Sequence, residues 1–153
     1  MAEVLVVSTF LVLTITLLYT QFSSLFNNYS KRLKYNTTDS LYAAYNIKQY
    51  LATEENIQDY INELGSNTYI EINCTSPVPS NTDYCNALLD TLDIERVIFT
   101  DYNVTNLKVF DYSNNFSPDL KDFIRHITTV ANPNYRLIVE MRDNTFSTIM
   151  ILR

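Results

Sequence analysis

From Val4 to Ser30 the chain runs for 27 residues without a charged side chain, and the section Val4–Leu18 (VLVVSTFLVLTITLL) is aliphatic apart from Ser, Thr and one Phe. No Gly or Pro interrupts it. As a helix this stretch is about 40 Å long, enough for a hydrocarbon core of about 30 Å. Thr14 and Thr16 are weaker helix formers than Leu, so the stretch from Thr14 to Phe22 is where this helix would loosen. Beyond Ser30 the pattern becomes amphipathic: in SKRLKYNTTDSLYAAYNIKQYLA, the residues Leu41, Ala44, Tyr45, Leu51 and Ala52 recur at helical spacing and predict a stripe that rests on a sheet. The first predicted element is therefore a helix over 1–52, with an apolar stem at 1–30 and an amphipathic half at 31–52. Its weakest point is Asn36 to Thr38, whose side chains compete for the helical backbone.

Residues 53–153 alternate short helical and strand patterns. Thr53 ahead of Glu54 and Glu55 reads as the cap of a helix through Leu64, which Gly65 would end in a left-handed conformation. Strand patterns follow at Thr68–Asn73 (TYIEIN), Glu95–Tyr102 (ERVIFTDY) and Leu107–Tyr112 (LKVFDY). Ser117-Pro118-Asp119 supplies a cap, a Pro for the first helical position and a first-turn acid, opening a helix to about Ala131 that Asn132-Pro133-Asn134 stops. Tyr135–Arg142 and Phe146–Leu152 form the clearest hairpin, turning at Asp143-Asn144, where Asn tolerates positive φ. The expected class is α+β, a long N-terminal helix packed on an antiparallel sheet with additional short helices.

Composition sharpens this division. The 153 residues include 11 Lys or Arg and 17 Asp or Glu, and of these only Glu3 lies in the first 30 positions. A mean hydropathy of -0.09 thus averages an apolar stem with a polar head. The length leaves room for one head of roughly 100 residues and excludes a multi-domain enzyme. A net charge of -6 and a pI near 4.6 leave no basic surface to displace counterions from a nucleic acid.

A secretory signal peptide has a basic start, a shorter apolar region and a small-residue cleavage site, none of which this segment shows. Lys31, Arg32 and Lys34 follow the apolar run directly, which by the positive-inside rule would hold the head in the cytoplasm. Two cysteines in a polar loop of the head read better outside. The two agree if a basic leader has been removed from the N-terminal side. Glu3 lies at the helix N-terminus, where the macrodipole favours a carboxylate. In a membrane that charge requires a partner: a neighbouring subunit's terminal amine, or lipid headgroups at the interface.

The segment MAEVLVVSTFLVLTITLLYTQFSSLF resembles the N-terminal helix of type IV pilins and pseudopilins, which are made with a short basic leader. Members typically read Phe-Thr-Leu-Ile-Glu-Val after cleavage, and Met1, Ala2, Glu3 and Val4 match the last part of that pattern. The resemblance covers about 50 residues closely, and the head only in general plan. It implies that Glu3 neutralises the terminal amine of an adjacent subunit, a role in which Met1 is the first residue of this sequence. Because Glu3 stands third rather than fifth, either two residues precede Met1 after cleavage or cleavage differs from the family rule. The resemblance further implies a homo-oligomeric helical filament, a single-pass membrane form before assembly, and a prepilin peptidase with an assembly machine as partners. Val4, Leu5, Phe10, Leu11, Leu18, Phe22 and Phe26 would pack the filament core. A minor pseudopilin of a secretion or DNA-uptake apparatus, and a membrane-anchored extracytoplasmic binding domain, are the alternatives.

Cys74 and Cys85 bound CTSPVPSNTDYC. Without a nearby His they cannot complete a zinc site, and they lack redox-motif spacing, so a disulfide is expected. Reduced buried thiols are the alternative. His126, the one histidine, falls on the helix opened at Ser117, where Asp119 and Asp122 already have a helix-dipole role; a structural His is expected rather than a catalytic one. With one glycine in the chain there is no phosphate-cradling loop, and neither a nucleophile elbow nor a metal cluster is visible. No catalytic residue, metal or cofactor is expected. Tyr19, Phe22, Phe26 and Tyr29 recur at helical spacing as interhelix packing demands. N-glycosylation sequons occur at Asn28, Asn36, Asn73, Asn103 and Asn115, against about three expected by chance from this composition.

Overall fold

The β-branched and aromatic run YRLIVEM pairs with FSTIMI across the Asp143-Asn144 turn, where Asn144 takes a φ of 60°. The computed structural model describes residues 2–53, 57–65, 67–74, 82–101, 115–127 and 135–151, with the backbone alone at Ala2 and Leu5. Its elements in chain order are α1 (Ala2–Leu33), α2 (Thr38–Thr53), α3 (Ile57–Leu64), β1 (Ile70–Ile72), α4 (Thr82–Thr91), β2 (Ile94–Thr100), α5 (Pro118–His126), β3 (Tyr135–Met141) and β4 (Phe146–Ile151). The architecture is α+β, and among the described residues four antiparallel strands lie in the order β1-β2-β3-β4. The chain divides into two compact units, Met1–Leu33 and Lys34–Arg153.

The predicted helix over 1–52 is thus two helices, and the unit boundary falls at Leu33 rather than near Ala52. The reason is a strap formed by Lys34 to Asn36. Phe146 donates its N–H to the Lys34 carbonyl at 2.8 Å, and its carbonyl accepts from the Asn36 N–H at 2.6 Å. Asn36 takes a φ of 53°, which Asn tolerates better than most residues. Thr37 then caps α2, its hydroxyl oxygen accepting from the Ser40 N–H at 3.3 Å.

Both faces of the central strands are covered. Val97 opposite Val139 and Phe99 opposite Leu137 belong to a core shared with α2, α3 and α4. Ile98 opposite Ile138 belongs to a second core with Leu120, Phe123 and Ile124 of α5. This follows from the strand period of two: successive side chains of IERVIFT and YRLIVEM enter opposite cores. On α2 the small residues Ser40, Ala43 and Ala44 are fully buried and permit close approach to β4, where the Ser147 hydroxyl donates to the Ser40 carbonyl at 2.6 Å.

Several local expectations are corrected. Thr53 is the last residue of α2, its hydroxyl donating to the Gln49 carbonyl, and not the cap of α3. Gly65 does not adopt positive φ; its N–H is shared between the Ile61 and Asn62 carbonyls, while the backbone and side-chain amides of Asn67 take the Leu64 and Glu63 carbonyls. The left-handed conformation is therefore not needed to satisfy that helix end. Helix α4 occupies part of what reads in sequence as a polar loop. The strand expected at 107–112 and the stop at 132–134 lie outside the described residues, and α5 ends at His126 rather than near Ala131, because Ile127 leaves the helix in an extended conformation at ψ 121°.

Candidate functional site

Helix α1 carries apolar side chains on every side. All of its large hydrophobic residues with described side chains, including Val4, Phe10, Leu11, Leu18, Phe22 and Phe26, are exposed by 50–74%. A helix apolar all round is stable only in a membrane or within a bundle. The 28 residues Val6–Leu33 are long and apolar enough to cross a bilayer. Glu3 stands in the first turn and Lys31 and Arg32 in the last, the arrangement that complements the helix dipole. Met1 lies outside the described residues, as does the side chain of Leu5.

The threonines of the stem do not break it. Thr14, Thr16 and Thr20 donate their hydroxyls to the carbonyls of Phe10, Val12 and Leu17, each at 2.8 Å. Their polar atoms are thereby satisfied within the helix, so α1 runs unbroken through residues 14–22 and keeps an apolar exterior.

Cys74 and Cys85 form a disulfide with a Cα–Cα distance of 5.7 Å. Cys74 follows β1 at a φ of 58°, and Cys85 lies in α4. Both are buried in the core beneath α2 and α3, so the bond fastens α4 to the end of the edge strand.

Among the described residues, His126 is joined to no nucleophile or carboxylate side chain by a hydrogen bond or ion pair. It is exposed at the end of α5, its Nδ1 lies 2.6 Å from the Asp122 carbonyl, and its ring centroid is 5.8 Å from that of Tyr35. Asp119 pairs with Lys34 at 3.3 Å, and Asp122 with Arg125 at 3.1 Å. Among the described residues no three His, Cys, Asp or Glu side chains are grouped to hold a metal. Of the sequon asparagines, Asn28 is exposed on α1. Asn36 and Asn73 are exposed in the head, and Asn36 Oδ1 accepts from the Thr148 N–H at 3.3 Å. Asn115 is exposed and its carbonyl accepts from Arg96 at 2.9 Å; Asn103 lies outside the described residues.

One charged cluster has no counterpart in the sequence reading. Glu140 on β3 is buried beside Arg96 on β2, the Arg96 Nε standing 3.7 Å from Glu140 Oε2 and 3.3 Å from Glu71 Oε1. Neither contact is aligned as a hydrogen bond from that atom. The Ser117 hydroxyl donates to Glu140 Oε1 at 3.3 Å, and the Arg96 guanidinium lies 5.4 Å above the Phe116 ring. Burial raises the Glu140 carboxyl above the ordinary range, opposed by Arg96 and by the Ser117 hydrogen bond. The cluster ties α5 to the sheet. The only sequence signal for it is a Glu at a position of YRLIVEM whose neighbours are all apolar.

The concentration of exposed apolar surface on α1, and not a pocket of converging polar groups, is what marks this molecule. No protein-family model, curated protein or solved structure matches this chain.

Proposed function

We propose that the chain is a structural subunit of an extracellular helical filament of the type IV pilus kind, held in a membrane by α1 before assembly and then packed stem against stem. The observation that carries this reading is the 32-residue α1, with exposed apolar side chains on all sides from Val4 to Tyr19 and Glu3 as its one acid. Burying such surface contributes about 25 cal/mol per Å², whether against lipid or against sister helices. Glu3 supplies register, because a carboxylate carried into that apolar bundle requires a cation, and a neighbouring terminal amine is of matching charge. The disulfide-linked head suits an oxidising compartment.

The test is to express the chain behind a basic prepilin leader, together with a prepilin peptidase and filament assembly machinery, and to examine the cell surface by electron microscopy. Filaments whose subunit mass and N-terminal sequence match a processed form of this chain are expected. A chain that stays monomeric in the membrane under those conditions would leave α1 as an anchor and the filament reading would fail.

A further inference from the structure

On α2 the expected stripe is split: Ala44 and Leu51 rest on the sheet, whereas Leu41, Tyr45 and Ala52 point away from it. A larger uncovered stripe lies on α1, whose two halves differ. From Val4 to Tyr19 apolar side chains surround the helix, but these 16 residues span about 24 Å, short of a hydrocarbon core of about 30 Å. Farther along, the apolar positions retreat to one side: Tyr19, Phe22, Leu25, Phe26, Tyr29 and Leu33 fall within a sector of about 120°. Each of the six is 62–74% exposed. Uncharged polar residues such as Ser23, Ser24, Asn27 and Asn28 fill the rest of the circumference, with Lys31 opposite the stripe and Arg32 at its edge. Between Glu3 and Asp39 every charge is positive, namely Lys31, Arg32 and Lys34. Beyond Thr53 the balance reverses, and that part of the chain holds 15 of the 17 acids but 7 of the 11 bases.

We propose that the C-terminal half of α1 is a binding surface for anionic phospholipid, with the stripe from Phe22 to Leu33 seated at the boundary of headgroups and acyl chains and with Lys31 and Arg32 paired to lipid phosphates. This rests on the membrane-held form in the reading above, and it holds whether or not stems later join in a filament. A helix whose fully apolar part is shorter than the hydrocarbon core completes its crossing with residues that are apolar on one flank only. Such a helix leaves the bilayer tilted, because tilt keeps one flank against lipid for several turns after the other has reached water. Ser23, Ser24, Asn27 and Asn28 then meet water, and the rings of Tyr19 and Tyr29 stand where aromatic belts form. Charge complementarity selects the lipid. A zwitterionic surface offers Lys31 and Arg32 no net attraction, whereas an anionic one draws bases that directly follow a membrane span. The acidic remainder of the chain is repelled by that same surface, which confines the attraction to this end of the stem.

The test uses the full chain reconstituted in vesicles of phosphatidylcholine and phosphatidylglycerol in equal parts. Spin-labelled versions of the two lipids report, by electron spin resonance, how much of each is immobilised on the protein. A preference for phosphatidylglycerol of roughly fivefold is expected, falling to near unity in the double variant Lys31→Gln, Arg32→Gln or in high salt. The stripe is read separately with Phe26→Cys and Asn27→Cys, adjacent positions at nearly the same height; Cys74 and Cys85 are paired, so a fluorescent thiol label goes to the new cysteine alone. The label at 26 should be quenched by spin-labelled lipid and the label at 27 by aqueous iodide. Equal immobilisation of the two lipids, a preference that the double variant retains, or equal quenching at 26 and 27 overturns this inference, while retention of the chain in the vesicles keeps the membrane-held form. A label at 26 shielded from both quenchers places protein rather than lipid on the stripe and overturns it likewise. If alkaline extraction strips the chain from the vesicles, the membrane-held form fails as well.

Discussion

Tyr35 and Phe146 form a parallel β-bridge, with the Phe146 N–H and carbonyl bonded to Lys34 and Asn36 and the two rings 6.3 Å apart edge to face. Tyr35 also packs 4.9 Å from Phe123 of α5. The first residues after the stem are therefore part of the head's own structure. A head beginning at Lys34 should fold with its full stability, whereas one beginning at Thr38 loses two backbone hydrogen bonds, the Thr37 cap and the Tyr35 packing. The expected loss is roughly 3 kcal/mol, each hydrogen bond and the cap contributing ~1 kcal/mol. Urea unfolding of the two truncations, followed by circular dichroism, measures it; equal midpoints would show that the strap carries no load.

Asn36 sits at a φ of 53° within that strap. Asn36→Val should destabilise the head by about 1–2 kcal/mol, because a β-branched residue resists the left-handed region. Asn36→Gly should cost less, losing the Oδ1 bond to Thr148 but relieving the backbone. Thermal midpoints ranking wild type and the glycine variant above the valine variant are the expected result.

The Cys74–Cys85 disulfide closes a short loop between β1 and α4. Replacing both residues with Ser should lower stability by about 2–4 kcal/mol. The comparison of urea midpoints with and without reductant checks this, and a wild-type midpoint unmoved by complete reduction would contradict it.

Glu140 makes stability depend on pH. Its carboxyl binds a proton more readily in the folded chain than in the unfolded one, chiefly because it is buried. Between the two values the folded state holds more protons, so raising the pH through that window costs stability. The favourable contribution is complete below about 4.5, the ordinary value, and is lost as pH rises through the elevated one. Glu140→Gln keeps an acceptor for Ser117 and should remove this dependence, so the gap in urea midpoint between variant and wild type should shift in the variant's favour from pH 4 to pH 7. Parallel curves would exclude Glu140 as the titrating group.

If the proposed filament holds, Glu3→Ala should abolish it while leaving the subunit in the membrane, because the stem keeps its apolar length but loses the carboxylate to which that proposal assigns register. Membrane fractionation beside electron microscopy separates the two effects. Unchanged filaments would remove Glu3 from the assembly mechanism.

What the sequence determined by itself are the features whose cause is local. The β3–β4 hairpin follows from alternation on either side of Asp143-Asn144. The start of α5 follows from Ser117, whose side chain accepts from the Leu120 N–H, with Pro118 behind it. The apolar stem follows from an uncharged run that needs no partner to be recognised, and the cysteine pairing from the lack of any other use for two thiols. Tertiary structure decided what depends on residues far apart in the chain. Phe146, 110 residues away from Asn36, divides the first helix, and local propensity at Asn36 to Thr38 marks only where it could divide. Arg96 and Glu140 meet because two strands align in register, and their partners Ser117 and Phe116 arrive on a third element. The outward turn of Leu41 and Tyr45 was decided by Ser40, Ala43 and Ala44, whose small side chains let α2 approach β4 more closely than a larger stripe would permit. A helical period shows which residues share a face, and only the packed sheet selects the face that is buried.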